Sequence, residues 1–390
     1  MKTLKTFALP VAFVVAACSA GSSPSAAADT SALDASGGQP ATPLADAPFT
    51  VQEVASFAEP WAMTFLPGGK QALVTERAGK LKLWQAGGAT LDVAGAPAVA
   101  YGGQGGFGDV ILAPDFAASG TIYLSWVEAG ADDTFGAVVG KAKLVQGDTP
   151  RIEGLEVIWK QDPKVPGRGH FSHRLAFSPD GRYLFITSGE RQKFDPAQDM
   201  AKNLGKVIRL NPDGSVPADN PFADKGGITA QIWSLGHRNL LGIAFDATGK
   251  LWQQEMGPKG GDEVNLVERG GNYGYPIVSN GDHYDGKDIP DHPTRPEFNA
   301  PKLWWNPSIS PAGLAWYGGD LYPGWKNSLL MGALSGEGLI RMGIDGDTLH
   351  KSDRWDFGTR IREVEVNADG SVWLLTDGKD GKLVKLVPKG

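Results

Sequence analysis

The residues best suited to acid–base chemistry in this sequence are histidines, of which the chain has six. Two of them, His170 and His173, lie three residues apart, and a third, His237, precedes Arg238 and Asn239. A neutral imidazole accepts a proton near pH 7, so each histidine is a candidate general base. A lone histidine is more often a structural residue, and the pattern by itself leaves both interpretations open.

Two further clusters could bind ions. Segment 257–265 is rich in glycine and contains adjacent carboxylates, Asp262 and Glu263, which could hold calcium or form an ordinary turn. Arg360 and Arg362 are separated by one residue, so both guanidinium groups would lie on one face of a strand, where they could bind an anion or face solvent. These residues predict an anionic small molecule and a histidine base, with or without calcium, and they do not identify the reaction.

Composition and local context exclude several other classes. The single cysteine, Cys18, rules out disulfides within the chain, thiolate zinc sites and a catalytic cysteine in the folded domain. The net charge of −7 argues against a general nucleic-acid binder. Segment 103–108 fits the pattern G-x-G-x-x-G, but an apolar strand and Pro114 follow it instead of a helix. A dinucleotide site requires that helix, so this segment does not predict one.

The first 48 residues predict that the protein is exported and attached to a membrane. A basic start and an apolar run over residues 7–17 are typical of a secretory signal and are too short to span a bilayer. Residues 15–18 resemble a bacterial lipobox, which predicts a signal peptide over residues 1–17 and a lipid anchor at Cys18. Cleavage near residues 26–28 is the alternative. Residue Ser19 is not an acidic retention signal, so we expect a periplasmic protein anchored to the outer membrane. Residues 18–48 predict a disordered linker.

Beyond the linker, one unit recurs six times: an apolar strand, a turn rich in Pro, Gly or Asp, and a second apolar strand. The turns recur about every 47 to 71 residues. Short strands in repeated units are typical of propellers, in which stacked sheets bury one another's faces. We therefore predict an all-β, six-bladed β-propeller over residues 49–390, with a pair of β-sandwiches as the alternative. The units begin at Ala62, Val110, Arg174, Leu241, Gly313 and Arg362.

Taken together, the clusters resemble the glucose/sorbosone dehydrogenases that use pyrroloquinoline quinone (PQQ), and within them the soluble aldose sugar dehydrogenase branch. The resemblance covers about residues 57–385. Its most specific elements are residues 236–239, 257–265, 271–274 and 360–362. It implies a six-bladed propeller that oxidises an aldose sugar at C1 to a lactone with PQQ and Ca²⁺. Electrons then pass from PQQ to an external acceptor of unknown identity.

The resemblance also implies a role for individual residues. His170 would be the general base, with His173 as a supporting neighbour, and Arg238 would stabilise the oxygen charge that develops in the reaction. The PQQ-binding residues would be Gln104, Arg238, Asn239, Ser308, Arg360 and Arg362. One calcium would bind the carbonyls of Gly257 and Pro258, and a second, structural calcium would bind Glu263 and the carbonyl of Tyr273.

Two positions depart from the family pattern. Ser335 stands where the family's glucose dehydrogenase has a lysine against PQQ, and Gly169 replaces an aspartate just before the catalytic histidine. Either another group orients His170, or its basicity falls. Two alternatives remain: a calcium-dependent propeller lactonase or hydrolase, and a propeller binding module without catalysis. The arginines argue against the lactonase, which has no polyanion to bind, whereas the change to Ser335 favours the binding module.

Overall fold

The computed structural model describes residues 38–389, so the predicted signal peptide, Cys18 and the linker up to residue 37 lie outside the described part. Six separate sheets of four or five strands contain almost all of the regular structure. This arrangement confirms the predicted six-bladed, all-β propeller and excludes a pair of sandwiches. Within the described residues, no helix has the length and hydrophobicity needed to cross a membrane.

The strands follow one another around the ring. The N-terminal strands are β1 (Thr42–Pro43) and β2 (Phe49–Phe57). Blade 1 contains β3 (Pro60–Phe65), β4 (Gln71–Glu76), β5 (Lys80–Gln85) and β6 (Leu91–Val93). Blade 2 contains β7 (Phe107–Leu112), β8 (Thr121–Ala129), β9 (Thr134–Val145), β10 (Arg151–Lys160) and the short β11 (Val165–Pro166). Blade 3 contains β12 (Ser172–Phe177), β13 (Leu184–Ser188), β14 (Lys206–Leu210) and β15 (Ile232–Leu235).

The second half of the ring repeats this order. Blade 4 contains β16 (Asn239–Phe245), β17 (Leu251–Met256), β18 (Asp262–Leu266) and β19 (Leu303–Trp305). Blade 5 contains β20 (Pro311–Tyr317), β21 (Ser328–Ala333), β22 (Gly338–Asp345) and β23 (Thr348–Asp356). Blade 6 begins with β24 (Ile361–Val366), β25 (Val372–Thr376) and β26 (Gly381–Pro388). The helical turns are short: α1 (Phe116–Ser119) and the 3-10 turns Leu44–Asp46, Asp195–Ala197, Ala223–Lys225, Thr229–Gln231 and His292–Thr294.

Each predicted repeat unit corresponds to the first two strands of one blade. The first strand lies at the propeller axis and the second pairs with it in antiparallel register, as β12 does with β13. The hydrophobic core lies between blades, because each sheet buries its faces against its neighbours. Leu73 and Ile122 pack between blades 1 and 2, and Trp252 and Met331 pack between blades 4 and 5. Equivalent clusters lie between the other neighbouring blades.

The two ends of the described chain meet in blade 6. Strand β2 pairs with β26, so an N-terminal strand completes the last blade and closes the ring. Strand β1 adds to the outer edge of blade 5, where Thr42 lies opposite Trp355. Ala47 is buried. The predicted linker boundary at residue 48 is therefore wrong, because backbone pairing and burial order the chain from Thr42 onwards.

A buried arginine connects the inner strands on the propeller axis. The guanidinium of Arg174 donates to the carbonyl of Leu241 and to the carboxylate of Glu363, and it lies 3.5 Å from Asp109. It also stacks over the ring of Trp61 at 4.0 Å. These contacts link five of the six blades, and two of the partners, Trp61 and Leu241, line the first of the cavities described next.

Candidate active site

Two neighbouring cavities lie at one end of the inner strands. The first, the anion cavity, has a volume of about 340 Å³ and is lined by residues that include Trp61, Arg77, Gln104, Arg360, Arg362 and Asp377. The second, the base cavity, has a volume of about 290 Å³ and is lined by residues that include His170, Glu190, Arg238, Pro258, Tyr275 and Tyr284. The backbone N–H of His170 donates to Gln104 Oε1 at 2.7 Å, so the two cavities adjoin at this contact.

His170 combines burial with a carboxylate partner. Its Nδ1 lies 2.5 Å from Glu190 Oε1, and both side chains are buried. With Nδ1–H donating to the carboxylate, Nε2 is left to accept a proton. Burial lowers the pKa of His170, and nearby Arg238 lowers it too, whereas the bond to Glu190 opposes them. The imidazole is therefore neutral at pH 7, as a general base must be.

Glu190 is a site residue that the sequence analysis missed. Its second oxygen, Oε2, accepts hydrogen bonds from the backbone N–H groups of Lys193 and Phe194 at 2.5 and 2.7 Å. Burial is the largest single influence and raises the pKa of Glu190, but the bond to His170, the N–H of Phe194 and the charge of Arg238 together keep this pKa below its usual value. Glu190 is thus the group that orients His170 in place of the aspartate that Gly169 replaces.

His173 lines the anion cavity, but its contacts are those of a structural residue. Its ring stacks on Trp61 with the ring centres 5.2 Å apart, and its Nδ1 lies 2.8 Å from Ser125 Oγ. A Cβ atom on Gly108 would lie 2.0 Å from this ring, so only glycine fits beside it. Burial lowers the pKa of His173 to about 3. The ring is therefore uncharged at pH 7 and packed on both sides.

The two predicted anion-binding arginines share one carboxylate. Asp377 lies 2.8 Å from Arg360 Nε and 3.0 Å from Arg362 Nε and Nη2. Burial opposes ionisation of Asp377, but the charges of Arg362 and Arg360 keep its pKa below its usual value. Both guanidinium groups line the anion cavity, Arg362 from strand β24 and Arg360 from the residue just before it, and Asp377 holds both in place.

Arg77 adds a third guanidinium that sequence reasoning did not identify. It lines the anion cavity and donates to the carbonyl of Gly103 at 2.5 Å, which fixes the loop that carries Gln104. Strand β7 follows this loop, so the structure agrees that residues 103–108 do not form a dinucleotide site. The side chains that line the anion cavity, three guanidinium groups and the carboxylate of Asp377, carry a net charge of +2, and Arg77 is also paired with Glu59 outside the lining at 3.4 Å.

Arg238 and Asn239, although adjacent, occupy different positions. Arg238 lines the base cavity, and its Nη1 donates to the carbonyls of Met256 and Gly257 at 2.9 and 2.5 Å. Its Nε is buried without a hydrogen-bond partner. Asn239 is fully buried, and its Nδ2 lies 3.6 Å from the Met256 sulfur. The structure thus places Asn239 behind Met256, which lines the anion cavity.

Asp262 and Glu263 are adjacent in sequence, but their side chains contact different loops. The buried carboxylate of Asp262 accepts hydrogen bonds from the backbone N–H groups of Gly257 at 2.9 Å and Ser310 at 2.7 Å, and from the hydroxyl of Ser308 at 3.2 Å. Burial raises its pKa to about 6. Asp262 therefore joins the loop of Gly257 to that of Ser308. The structure brings Ser310 to the anion cavity, whereas Ser308 is not among its lining residues.

Glu263 and Tyr273, the predicted ligands of a structural calcium, line a third and much smaller cavity together with Glu255. Its volume is about 10 Å³, close to that of one bound atom. Between residues 38 and 389, no group of three or more His, Cys, Asp or Glu side chains could hold a metal ion. Calcium at this site, and at the carbonyls of Gly257 and Pro258, would therefore depend on backbone oxygens, and both calcium sites stay predictions.

Comparison with known proteins identifies the family. The sequence model of glucose/sorbosone dehydrogenases matches residues 57–385. The aldose sugar dehydrogenase YliI of Escherichia coli is 40% identical over 338 residues, which are 85% of this chain and 90% of that protein. The chain belongs to the glucose/sorbosone dehydrogenase family.

Solved structures agree with this assignment. The soluble aldose sugar dehydrogenase of E. coli in its apo form superposes with a TM-score of 0.82 at 38% identity, covering 87% of this chain and all of that one. The PQQ-bound aldose sugar dehydrogenase of Streptomyces coelicolor superposes with a TM-score of 0.69 at 25% identity, covering 87% and 98%. Membership of the dehydrogenase family disfavours both the hydrolase and the binding-module alternatives.

The two departures from the family pattern have local explanations in this glucose/sorbosone dehydrogenase. A Cβ on Gly169 would lie 2.5 Å from the side chain of Gln192, which lines the base cavity, so Gln192 fills the space of the missing aspartate. Ser335 is exposed, and its hydroxyl donates to Ser310 Oγ at 2.8 Å. It supplies no charge, but Arg77 places an additional guanidinium in the anion cavity.

Proposed function

We propose that this protein is a PQQ- and Ca²⁺-dependent aldose sugar dehydrogenase that oxidises its sugar at C1 to the lactone and passes the electrons to an external acceptor. One observation carries the proposal. A buried imidazole, neutral and oriented by Glu190, opens onto a cavity that adjoins a second cavity, whose lining side chains carry a net charge of +2. The related enzymes of E. coli and S. coelicolor are named as aldose sugar dehydrogenases, and the latter was solved with PQQ.

The anion cavity fits PQQ by its charge and donor set. PQQ carries several carboxylates, and Arg77, Arg360 and Arg362 would hold them by charge-assisted hydrogen bonds. Gln104 lies at the boundary with the base cavity, where a polar edge of the cofactor would meet it. The volume of the anion cavity, about 340 Å³, is within the range of small-molecule sites. When bound, PQQ supplies the quinone that accepts the two electrons removed from the sugar.

His170 provides the proton chemistry of the proposed reaction. Its free Nε2 accepts the proton of the C1 hydroxyl, and the carboxylate of Glu190 stabilises the imidazolium that forms. Arg238 lines the same cavity with a fixed positive charge, which stabilises negative charge that develops on oxygen. These groups are positioned before the substrate arrives, so little reorganisation accompanies the reaction.

For calcium, the oxygen donors at residues 257–258 and around Glu263 are of the type that the ion prefers. The carbonyl of Gly257 already accepts a hydrogen bond from Arg238, but a carbonyl oxygen has two lone pairs and one remains. At the smaller site, Asn265 donates to both Glu255 and Glu263 while its Oδ1 lacks a partner. A buried oxygen without a donor is consistent with a cation nearby.

Reconstitution tests the function directly. The purified apoprotein is mixed with PQQ, with Ca²⁺, or with both, and dye reduction is followed over a panel of aldoses. We expect activity only with both additions, and no reconstitution in EDTA.

Glu263→Gln should lower the melting temperature and calcium content, because an ion bound to the folded state stabilises it. An unchanged melting temperature and calcium content in Glu263→Gln would contradict the structural-calcium assignment. In the reconstitution experiment, activity without PQQ would contradict the cofactor assignment.

The cellular location is proposed from the sequence alone. Cys18 would carry the lipid that anchors the protein to the outer membrane on its periplasmic side, with residues 1–17 removed as the signal. Cys18→Ser should move the protein from the membrane fraction to the soluble fraction or leave it unprocessed. A mature N-terminus downstream of Cys18 would exclude the anchor.

A further inference from the structure

The backbone around His170 has a conformation that needs support from its surroundings. His170, Ser172 and His173 have positive φ, at 49°, 61° and 62°. Residues other than glycine rarely adopt this region, and they keep it only where neighbouring groups hold them in place. His170 lines the base cavity and Phe171 lines the anion cavity, so this segment lies between the two cavities. The place of its backbone therefore sets how far the imidazole lies from a cofactor bound next door.

A buried guanidinium, that of Arg191, packs behind this segment. Arg191 is 1% exposed. Its Nε donates to the carbonyl of Gly169 at 2.8 Å, its Nη2 donates to that of Gly167 at 2.5 Å, and its Nη1 donates to that of Phe135 in blade 2. The face of the guanidinium lies over the ring of Phe171, 3.7 Å from its centre. All but one of these contacts go to residues 167–171, on both sides of His170.

The charge of Arg191 makes this arrangement costly for folding. Its nitrogens bond backbone carbonyls, so no carboxylate hydrogen-bonds to them within the described part of the chain. Burial lowers the pKa of Arg191 to about 10, although the charge of Glu190 opposes the shift, and the side chain stays charged at pH 7. A buried charge without a counter-ion is unfavourable, and an apolar side chain of similar length avoids that cost. What the charged side chain provides here is a fixed position for three carbonyls and a ring.

Glu190 and Arg191 are consecutive and act on different parts of the same histidine. The carboxylate of Glu190 holds the imidazole at Nδ1. The backbone N–H of Arg191 donates to the carbonyl of His170 at 3.3 Å, and its side chain holds the residues on either side. The ring and the backbone of His170 are thus fixed by neighbouring residues of one loop.

We propose that Arg191 is a positioning residue for the general base: its guanidinium sets the place of His170 by holding the carbonyls before it and the ring after it. This inference rests on the proposed function. Arginine suits the task because its planar fork reaches separate carbonyls while its face stacks on a ring, whereas lysine has a single nitrogen. Position matters because a displacement of about 1 Å between reacting groups can cost about 10²-fold in rate.

The kinetic test replaces the guanidinium in the holoenzyme. With saturating PQQ and Ca²⁺ and the aldose that wild type oxidises fastest, Arg191→Met should lower kcat by about ten- to hundredfold and leave KM within about twofold. Arg191→Lys keeps the charge and one donor nitrogen, so kcat should fall by an intermediate amount. It also carries the test if Arg191→Met does not fold. Wild-type kcat in Arg191→Lys would show that charge alone suffices and would overturn the proposal.

Arg209→Met is the matched control. Arg209 also belongs to blade 3, is 4% exposed and lies over the ring of Tyr183 at 3.7 Å, but it lines neither cavity. Its replacement should lower the melting temperature as that of Arg191 does, and leave kcat unchanged well below the melting transition. An equal loss of kcat in Arg209→Met would show that any weakening of blade 3 impairs the enzyme, and would overturn a specific role for Arg191.

A double substitution tests whether Arg191 acts through His170. If it does, Arg191→Met has no further effect once the base is removed, so His170→Ala with and without Arg191→Met should have the same residual kcat within about twofold. A second loss of about tenfold in the double variant would mean that Arg191 acts independently of His170, and the positioning role would fail.

Hydrogen exchange separates this inference from the proposed function. Exchange of backbone amides is followed by mass spectrometry in purified wild type, Arg191→Met and Arg209→Met. Residues 167–173 should exchange about tenfold faster in Arg191→Met and at the wild-type rate in Arg209→Met. That result supports the positioning role even if no sugar is oxidised and the dehydrogenase proposal fails. Unchanged exchange in Arg191→Met overturns the role, even if dehydrogenase activity is present.

Discussion

The anion cavity and the base cavity adjoin but are built from different parts of the propeller. The anion cavity is lined partly by strand residues, Trp61, His173, Leu241, Met256 and Arg362, and partly by loop residues that include Arg77, Gln104, Arg360 and Asp377. Every residue that lines the base cavity lies in a loop between strands. Strands are held on both sides by neighbouring strands and blades, whereas loops carry the variable, adaptable part of a site.

This difference separates two tasks. Arg360 and Arg362 are paired with Asp377 and Arg77 with Glu59, so the charges of the anion cavity are fixed, which suits a cofactor whose shape does not change from one turnover to the next. The base cavity holds one fixed pair, His170 and Glu190, and surrounds it with loop residues. We therefore expect substitutions in the anion cavity to alter cofactor binding and those in the base cavity to alter turnover and substrate choice.

The largest expected effect is on turnover. His170→Ala should lower kcat by about 10²–10⁴, because it removes the general base, while PQQ affinity stays unchanged. His173→Ala should instead lower the melting temperature, because it removes a ring packed between Trp61 and Gly108. Steady-state kinetics and thermal melting on both variants test this. If a fully folded His173→Ala is inactive and His170→Ala is active, His173 is the base.

Arg362→Ala should show the converse pattern. Its side chain is 11% exposed, against 46% for Arg360, so solvent screens its charge less. Loss of one charge-assisted hydrogen bond costs about 1.5–3 kcal/mol, so PQQ affinity should fall roughly ten- to hundredfold. Saturating PQQ should restore much of the rate, and Arg360→Ala should have a smaller effect. Wild-type PQQ affinity in both variants, measured by titration of absorbance, would place the cofactor elsewhere.

Glu190→Gln tests how the base is oriented and should lower kcat by about tenfold. Because Glu190 raises the pKa of His170, removal of its charge lowers that pKa further. The acidic limb of the pH profile of kcat/KM should therefore move to lower pH. A purely structural role for Glu190 predicts reduced activity without this displacement, so the pH profile distinguishes the two.

The smallest expected effect concerns the loop that contains Glu190 and Phe194. Lys206 is buried, and its Nζ donates to the carbonyls of Pro196, Ala197 and Leu204 at 2.7, 3.0 and 2.8 Å. Burial lowers its pKa to about 7. Between pH 7 and the ordinary lysine pKa, the unfolded chain then binds more protons than the folded protein, so the free energy of unfolding rises with pH.

Lys206 should make the free energy of unfolding rise by about 1 kcal/mol per pH unit. Urea unfolding of wild type and Lys206→Met at pH 7, 8 and 9 measures it, and the variant should show the flatter dependence. Parallel dependences in the two proteins would mean that Lys206 keeps an ordinary pKa.

The sequence predicted the fold well because each blade repeats a local signal. An apolar strand, a turn and a second apolar strand recur at every unit, including Arg174 to Ser188 and Leu241 to Glu255. Pairing of β2 with β26 was missed, because these strands are more than 300 residues apart and neither contains a turn signal for the other. Local pattern therefore identifies blades but not the closure of the ring.

Prediction of the site was limited in the same way. Arg360 and Arg362 were found because their spacing would place both on one face of a strand, although strand β24 begins only at Ile361. Glu190, Arg77 and Asp377 were missed, because each reaches the site from the loop after a second strand and nothing in its local sequence marks it. The partner of a catalytic residue is set by the three-dimensional arrangement of blades, which spacing along the chain does not encode.

The closure of blade 6 has a consequence for how the molecule forms. Strand β26 ends at Pro388, and β2 can pair with it only after this last strand has been synthesised. The ring of sheets therefore closes last. During synthesis, five blades can collapse in sequence while the edge of the sixth stays open. Arg362 and Asp377, both in or beside that last blade, would thus complete the proposed cofactor site only when the whole chain has emerged. A truncated product would be both unclosed and unable to retain the cofactor.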